Sequence, residues 1–247
     1  DLGPGSQVED EVLEYISMPQ GMYTHSAPIL PEPEELDTLP GARQALQDLL
    51  QMLHTCNRGE VTRSLDLSGL EAGDRTLLDQ LLGEGEVSVR VVVQTQLRIQ
   101  ESIFAGVWRI YGEGHDYVEV GAAPVQLRTT AHAAARPAAF DLPSQLPPGV
   151  MNAPAILTEV EDQTRHWQTG SPAHVINLTL LPLSEQDIAF LDAYLPVGPV
   201  RALARGYGNC RISSTLVHNC WRVTYFNSQD AQILDTIEIT DLPEVIC

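Results

Sequence analysis

Apolar and polar positions alternate with two different periods along this chain. Across residues 42–54 the apolar residues Ala42, Ala45, Leu46, Leu49 and Leu53 recur at helical spacing. Pro40-Gly41 opens that predicted helix and Cys56-Asn57-Arg58-Gly59 closes it. Farther on, Leu65-Asp66-Leu67 and the run over residues 175–180 read as strands. A helix follows each. In the second, Ser184 stands three positions before Asp187, close to a capping box, and Ile188, Leu191 and Leu195 form the apolar stripe. Strand-like runs then cover residues 87–93, 96–104 and 107–111. Later ones cover 200–204, 210–216, 220–226 and 231–239, with Asn227-Ser228-Gln229-Asp230 as a turn.

The pattern repeats. Trp108-Arg109 and Trp221-Arg222 stand 113 residues apart. At that offset Leu65, Leu67, Leu70 and Asp74 fall on Leu178, Leu180, Leu183 and Asp187. Leu78-Asp79, Leu82, Gly85 and Val87 fall on Leu191-Asp192, Leu195, Gly198 and Val200, and Arg98-Ile99 falls on Arg211-Ile212. After a short length difference, Val118-Glu119-Val120 matches Ile237-Glu238-Ile239. A fixed-period self-similarity of this kind predicts an internal duplication. The expected fold is therefore α+β: two homologous β-α-β-β-β units, antiparallel meanders with helices on one face.

The remaining segments connect or lead into these units. Prolines at 19, 28, 31 and 33 keep residues 1–40 from forming a long helix, so they read as an extended strap with Ile29 and Leu30 docked on the body. The first unit is expected over 41–127 and the second over 173–247. Between them, 128–172 reads as a Pro/Ala-rich linker with one helix, from Asn152 as cap to about Gln168, stopped by Gly170-Ser171-Pro172.

Charge narrows the partners. Among 247 residues, 14 Lys and Arg face 33 Asp and Glu, a formal net charge of −19. That field repels phosphate backbones and anionic membranes, and the sequence holds no basic stripe, so neither nucleic acid nor membrane is expected as a partner. A basic peptide would be attracted. No apolar run is long enough to span a bilayer, and the first 14 residues lack an export signal. Cys56, Cys210, Cys220 and Cys247 follow no disulfide-scaffold spacing, which suits a reduced, cytoplasmic setting.

Candidate chemistry is sparse. The sequence holds no nucleophile elbow, phosphate loop, zincin motif or dinucleotide fingerprint, so no enzyme and no cofactor are expected. The densest feature is Arg205-Gly206-Tyr207-Gly208-Asn209-Cys210-Arg211. Its glycines permit close backbone approach, either to a docking partner anchored by Tyr207 or within a tight strand connection. The aligned stretch of the first unit, residues 92–98, has no glycine, so the fold alone does not demand them. Cys210, His218 and Cys220 are the candidate soft-metal ligands, against which Cys220 also reads as a buried small hydrophobe. Trp108 and Trp221 read as core residues; Arg98, Arg109, Arg211 and Arg222 read as structural ion pairs or as carboxylate binders.

Three stretches carry a resemblance. They are Tyr15-Ile16-Ser17-Met18-Pro19-Gln20-Gly21-Met22 running on to Leu30-Pro31-Glu32-Pro33-Glu34; Pro148-Gly149-Val150-Met151-Asn152-Ala153-Pro154-Ala155; and the tail over 205–245, with Tyr225-Phe226-Asn227-Ser228. Together they resemble the HupH/HyaF/HoxQ-type hydrogenase expression/formation proteins. That resemblance implies an accessory role in maturing nickel–iron hydrogenases. The implied partners are the iron–sulfur small-subunit precursor with its twin-arginine leader, and other maturation proteins. Arg205 to Arg211 with Asn227 and Ser228 become the candidate partner-binding residues. Delivery of nickel or an iron–sulfur cluster through Cys210, His218 and Cys220 is the alternative. Cys220 and Arg222 depart from the more apolar strand that the family resemblance leads one to expect.

Overall fold

Why the two halves share one core follows from their strand pairing in the computed structural model, which describes residues 33–56, 63–92, 96–112, 114–206 and 208–247. The first half runs α1 (Pro33–Thr38), α2 (Pro40–Thr55), β1 (Arg63–Asp66), α3 (Ala72–Leu82), β2 (Val87–Val92), β3 (Gln96–Glu101), β4 (Val107–Gly112) and β5 (His115–Val120). It continues through α4 (Val125–Ala134), α5 (Ala153–His166), β6 (His174–Asn177), α6 (Glu185–Tyr194), β7 (Val197–Ala204), β8 (Asn209–Thr215), β9 (Cys220–Phe226) and β10 (Gln232–Ile239).

Among the described residues all ten strands form a single sheet, in the order β1-β5-β4-β3-β2-β7-β8-β9-β10-β6, and every neighbouring pair is antiparallel. Read outward from the centre, each half uses the same order: its second to fifth strands in succession, then its first strand on the outer edge. The halves meet where β2 pairs with β7, with Val87 opposite Ala204, Val89 opposite Ala202 and Val91 opposite Val200.

Strand alternation sends one set of side chains to each face. Val87, Val89, Val91, Leu97, Ile99, Trp108, Ile110, Val200, Ala202, Ile212, Trp221 and Val223 share one face and one buried cluster. Trp108 and Trp221 are 1% and 2% exposed, and their indole N–H groups donate to the carbonyls of Gly121 and Thr240 at 3.1 and 3.2 Å. Among the described residues, helices cover the opposite face toward its flanks. There α2 and α3 pack on Leu67, Val107, Val118 and Val120, while α5 and α6 pack on Ile176, Cys220, Ile237 and Ile239.

Two expectations on helices change. Helices were expected on one face, and α2, α3, α5 and α6 obey this, but α4 lies on the other, with Leu127 fully buried in the tryptophan-bearing core. The linker expected from 128 begins inside that helix, which spans Val125–Ala134. Composition misleads here: alanines suit a helix as well as a linker, and one buried Leu127 with Ala131 four positions on supplies the face. The run at 175–180 is a strand only to Asn177, whose side chain accepts from the Thr179 N–H and turns Leu178–Leu180 into a 3₁₀ turn.

Helix starts are organised by two buried aspartates at equivalent positions. Ser184 and Asp187 form a complete capping box on α6. The same Asp187 carboxylate also accepts the N–H groups of Met151, Asn152 and Ala153 at 2.8–2.9 Å, so it caps α5 from a different helix. Asn152 sits at the expected cap position but makes no side-chain cap bond; its amide donates to the Pro182 carbonyl instead. In the first half Asp74 accepts from Ala42 N–H at 2.8 Å at the start of α2. Gly41 is required beside it, since a Cβ there would meet Asp74 Oδ2 at 2.6 Å.

Candidate functional site

The candidate partner-binding residues come together at one end of the sheet. Arg205, Gly206 and Gly208 connect β7 to β8, and Asn227 and Ser228 open the turn between β9 and β10. Asn209 lies opposite Phe226, which places the connection beside that turn. Asn227 orders the turn by accepting the N–H groups of Gln229 and Ala231. Gly208 has φ +126°, a conformation that favours glycine. Arg205 N–H donates to the Glu86 carbonyl, and a Cβ on Gly206 would crowd the Glu86 carboxylate. Arg211 lies over the Phe226 ring at 4.5 Å. Tyr207 lies outside the described residues.

Cys210 corrects the partner-binding expectation. It is 2% exposed and belongs to the tryptophan-bearing core, directly opposite Tyr225, because strand alternation turns it inward. The Cys210, His218 and Cys220 set is corrected too. Cys220 faces the α5/α6 side in a separate core cluster, so the sheet itself stands between the two thiols. His218 packs its ring against His132 at 4.5 Å. Among the described residues no three His, Cys, Asp or Glu side chains are grouped to hold a metal. Burial pushes both thiols up to about 12. A thiol reagent at pH 8 is therefore expected to label Cys247, which is exposed, while Cys210 and Cys220 label only in denaturant. Peptide mapping of the native labelled protein checks this, and fast labelling of Cys210 would contradict its placement.

The paired arginines of the two halves form equivalent ion clusters. Arg109 meets Asp79 of α3 at 2.7 Å and Asp116 of β5 at 2.5 Å. Arg222 meets Asp235 of β10 through two bonds of 2.5 Å and Asp192 of α6 at 3.5 Å. These guanidiniums tie a helix to the sheet in each half. A cleft beside β1 and β5, about 510 Å³, also holds carboxylates, but Asp116 is spent on Arg109 and Arg75, and Glu119 on the Val125 N–H. Burial raises the Glu119 carboxyl above its usual range, with the Val125 N–H opposing.

One feature escaped the reading of the linear sequence. Arg109, Arg98, Arg90, Arg201, Arg211 and Arg222 all point to the helix-flanked face, one from each of six adjacent strands, β4-β3-β2-β7-β8-β9. Arg90 lies directly opposite both Arg98 and Arg201. The expectation that this acidic chain has no basic stripe is thereby corrected: the stripe is assembled across strands. Strand parity was the available signal, but only the strand order aligns the six.

The fold and these side chains define an α+β single-sheet protein whose buried ionisable groups serve packing, capping and ion pairing. The C-terminal conserved region of the HupH hydrogenase expression protein matches residues 39–131 and again 150–247, and the chain belongs to this family. It is 53% identical to the hydrogenase expression/formation protein HoxQ of Cupriavidus necator over 250 residues, covering all of this chain and 88% of that one. It is 32% identical to the hydrogenase-1 operon protein HyaF of Escherichia coli K12, covering 99% of this chain and 88% of that one. A solved structure, the hydrogenase expression protein HupH from Thiobacillus denitrificans, aligns at 28% identity with 39% of this chain and 80% of its own, at a TM-score of 0.37.

Proposed function

We propose that this protein is a non-catalytic, cytoplasmic accessory chaperone of nickel–iron hydrogenase maturation. It binds a hydrogenase subunit precursor, the iron–sulfur small subunit carrying a twin-arginine leader. The observation that carries the reading is kinship along the whole chain with proteins named for hydrogenase expression and formation. Placement of the polar side chains supports a binding role, because the buried charges are paired within the fold and the surface acidity attracts a basic leader. No helix among the described residues is long and apolar enough to cross a membrane.

The contact surface in this reading is the sheet end formed by Arg205, Gly206, Tyr207, Gly208, Asn209 and Arg211 with Asn227 and Ser228. The units in this reading span 41–127 and 173–247, with 128–172 between them; of the strap expected over 1–40, residues 33–38 form the helix α1 rather than an extended run, and 1–32, with Ile29 and Leu30, lie outside the described residues. We also take the halves as products of one duplication. Their shared strand order, the symmetric register about Val89 and Ala202, and the two separate matches to the family region support it.

Native mass spectrometry of the protein with the small-subunit precursor, with and without its leader, tests the function. A stoichiometric complex that forms without added metal, and weakens when the leader is removed, is the expected result. No complex with either form of the precursor would overturn the escort reading.

A further inference from the structure

Three neighbours in the arginine stripe, Arg98, Arg90 and Arg201, have no counter-charge among the described residues. Its outer members, Arg109 and Arg222, are neutralised by aspartates of α3, α6 and the flanking strands. Arg98, Arg90 and Arg201 between them make no ion pair or hydrogen bond through their side chains among the described residues. Each faces the next across one strand spacing, about 5 Å of backbone separation. Like charges directly opposite on a sheet are destabilising. In a chain with 33 carboxylates, three unneutralised arginines side by side are unusual, and Arg98 is exposed.

The helix pairs make this strip the floor of a channel. On the same face, among the described residues, α2 and α3 stand over β1 and β5, and α5 and α6 over β10 and β6, with no helix over β3, β2, β7 and β8. Besides arginines the floor offers the exposed Val92 and Tyr111, side chains that suit contact with a polypeptide. Carboxylates on one side of an extended chain recur about every 7 Å, within reach of long guanidinium arms on strands about 5 Å apart. The net charge of −19 opposes long polyanions, so a nucleic acid is disfavoured while a short acidic segment can be held locally.

We infer that the channel floored by Arg98, Arg90 and Arg201 is a docking site for an extended acidic segment of a partner protein. This rests on the reading that the protein binds other polypeptides, but it assigns a second surface of opposite charge preference, remote in purpose from any basic leader. A partner recognised by both would meet the acidic exterior with its basic part and the channel with its acidic part.

The test is fluorescence anisotropy with the full chain at low salt, using a labelled peptide of alternating Glu and Thr and its Gln counterpart. The Glu peptide is expected to bind, and the Gln peptide to bind at least tenfold more weakly. Arg90→Gln/Arg98→Gln/Arg201→Gln is expected to weaken Glu-peptide binding at least tenfold while melting at the same or a higher temperature, since like-charge repulsion is relieved. Arg98→Glu alone, at an exposed position, should weaken binding in the same direction and guards against misfolding of the triple variant. Equal binding by the folded variants would overturn the site. Displacement of the peptide by inorganic phosphate at equal charge concentration would overturn its polypeptide assignment. Tighter peptide binding after Glu9, Asp10, Glu11 and Glu14 are all changed to Gln would make the chain's own acidic terminus the occupant, and so overturn the partner. If the triple variant still binds the subunit precursor undiminished, the channel inference falls and the escort function stands. Peptide binding without any precursor binding gives the reverse.

Discussion

Replacing Asp187 with alanine is expected to lower unfolding stability by about 3–5 kcal/mol, the cost typical of stripping a buried charged group from its partners. For a chain of this size that corresponds to a fall in melting temperature on the order of 10 °C. The reason is the number of donors that one fully buried carboxylate satisfies. Met151, Asn152 and Ala153 would lose their acceptor at the start of α5, and the Ser184 N–H would lose its acceptor at the start of α6. Buried N–H groups left without acceptors cost about 1–3 kcal/mol each before relaxation and water entry. Asp187→Asn keeps an acceptor oxygen and should lose only about 1–2 kcal/mol.

The pH dependence of this pair of proteins has a defined sign. Burial pushes the Asp187 carboxyl up, yet the backbone N–H groups of Ala153, Met151, Ser184 and Asn152 together hold it well below the usual carboxylate range. A group depressed in the folded state stabilises above its unfolded pKa, about 3.9, and that stability is lost as pH falls toward the lower folded value. The gap between wild type and Asp187→Asn is therefore full at neutral pH and shrinks below about pH 4. Urea unfolding followed by circular dichroism at pH 7 and at pH 3.5 measures it. A gap that widened in acid would refute the capping account.

Arg222→Ala is expected to cost about 3–5 kcal/mol, because it leaves the Asp235 carboxylate, 10% exposed, with its cation removed. Arg222→Lys should recover only part of that, since an ammonium cannot form the two parallel bonds seen at 2.5 Å. Replacing both Arg222 and Asp235 by leucine should recover most of the loss by exchanging a buried pair for apolar packing. Asp192→Ala, at a position 63% exposed, should change stability by less than about 1 kcal/mol. A double-mutant cycle in urea separates these contributions; equal losses for Asp192→Ala and Arg222→Ala would contradict the assignment of Asp235 as the main partner.

What the sequence determined by itself is everything set by short-range periodicity. The helices α2, α3, α5 and α6 and the strands of both meanders appear as 3.6-residue and two-residue patterns, since each depends on neighbours within a few positions. The 113-residue offset likewise shows that Trp108 and Trp221 have equivalent surroundings, and both are core residues that hydrogen-bond equivalent carbonyls. The capping box at Ser184 and Asp187 was legible for the same reason, being three residues long. Family kinship was legible as well, because it is carried by contiguous motifs.

Tertiary structure alone decided what depends on distant elements meeting. Asp187 caps a helix that begins 34 residues upstream, a duty no local pattern announces. The helix α4 was hidden because Leu127 is buried in a core that strands of both halves build. Cys210 and Cys220, near in sequence, are parted by the sheet because an odd spacing through the intervening turn turned them to opposite faces. Arg98, Arg90 and Arg201 show the converse. Scattered along an acidic chain, they become neighbours because β2 pairs with β3 on one side and β7 on the other, and charge acts through space rather than along the chain.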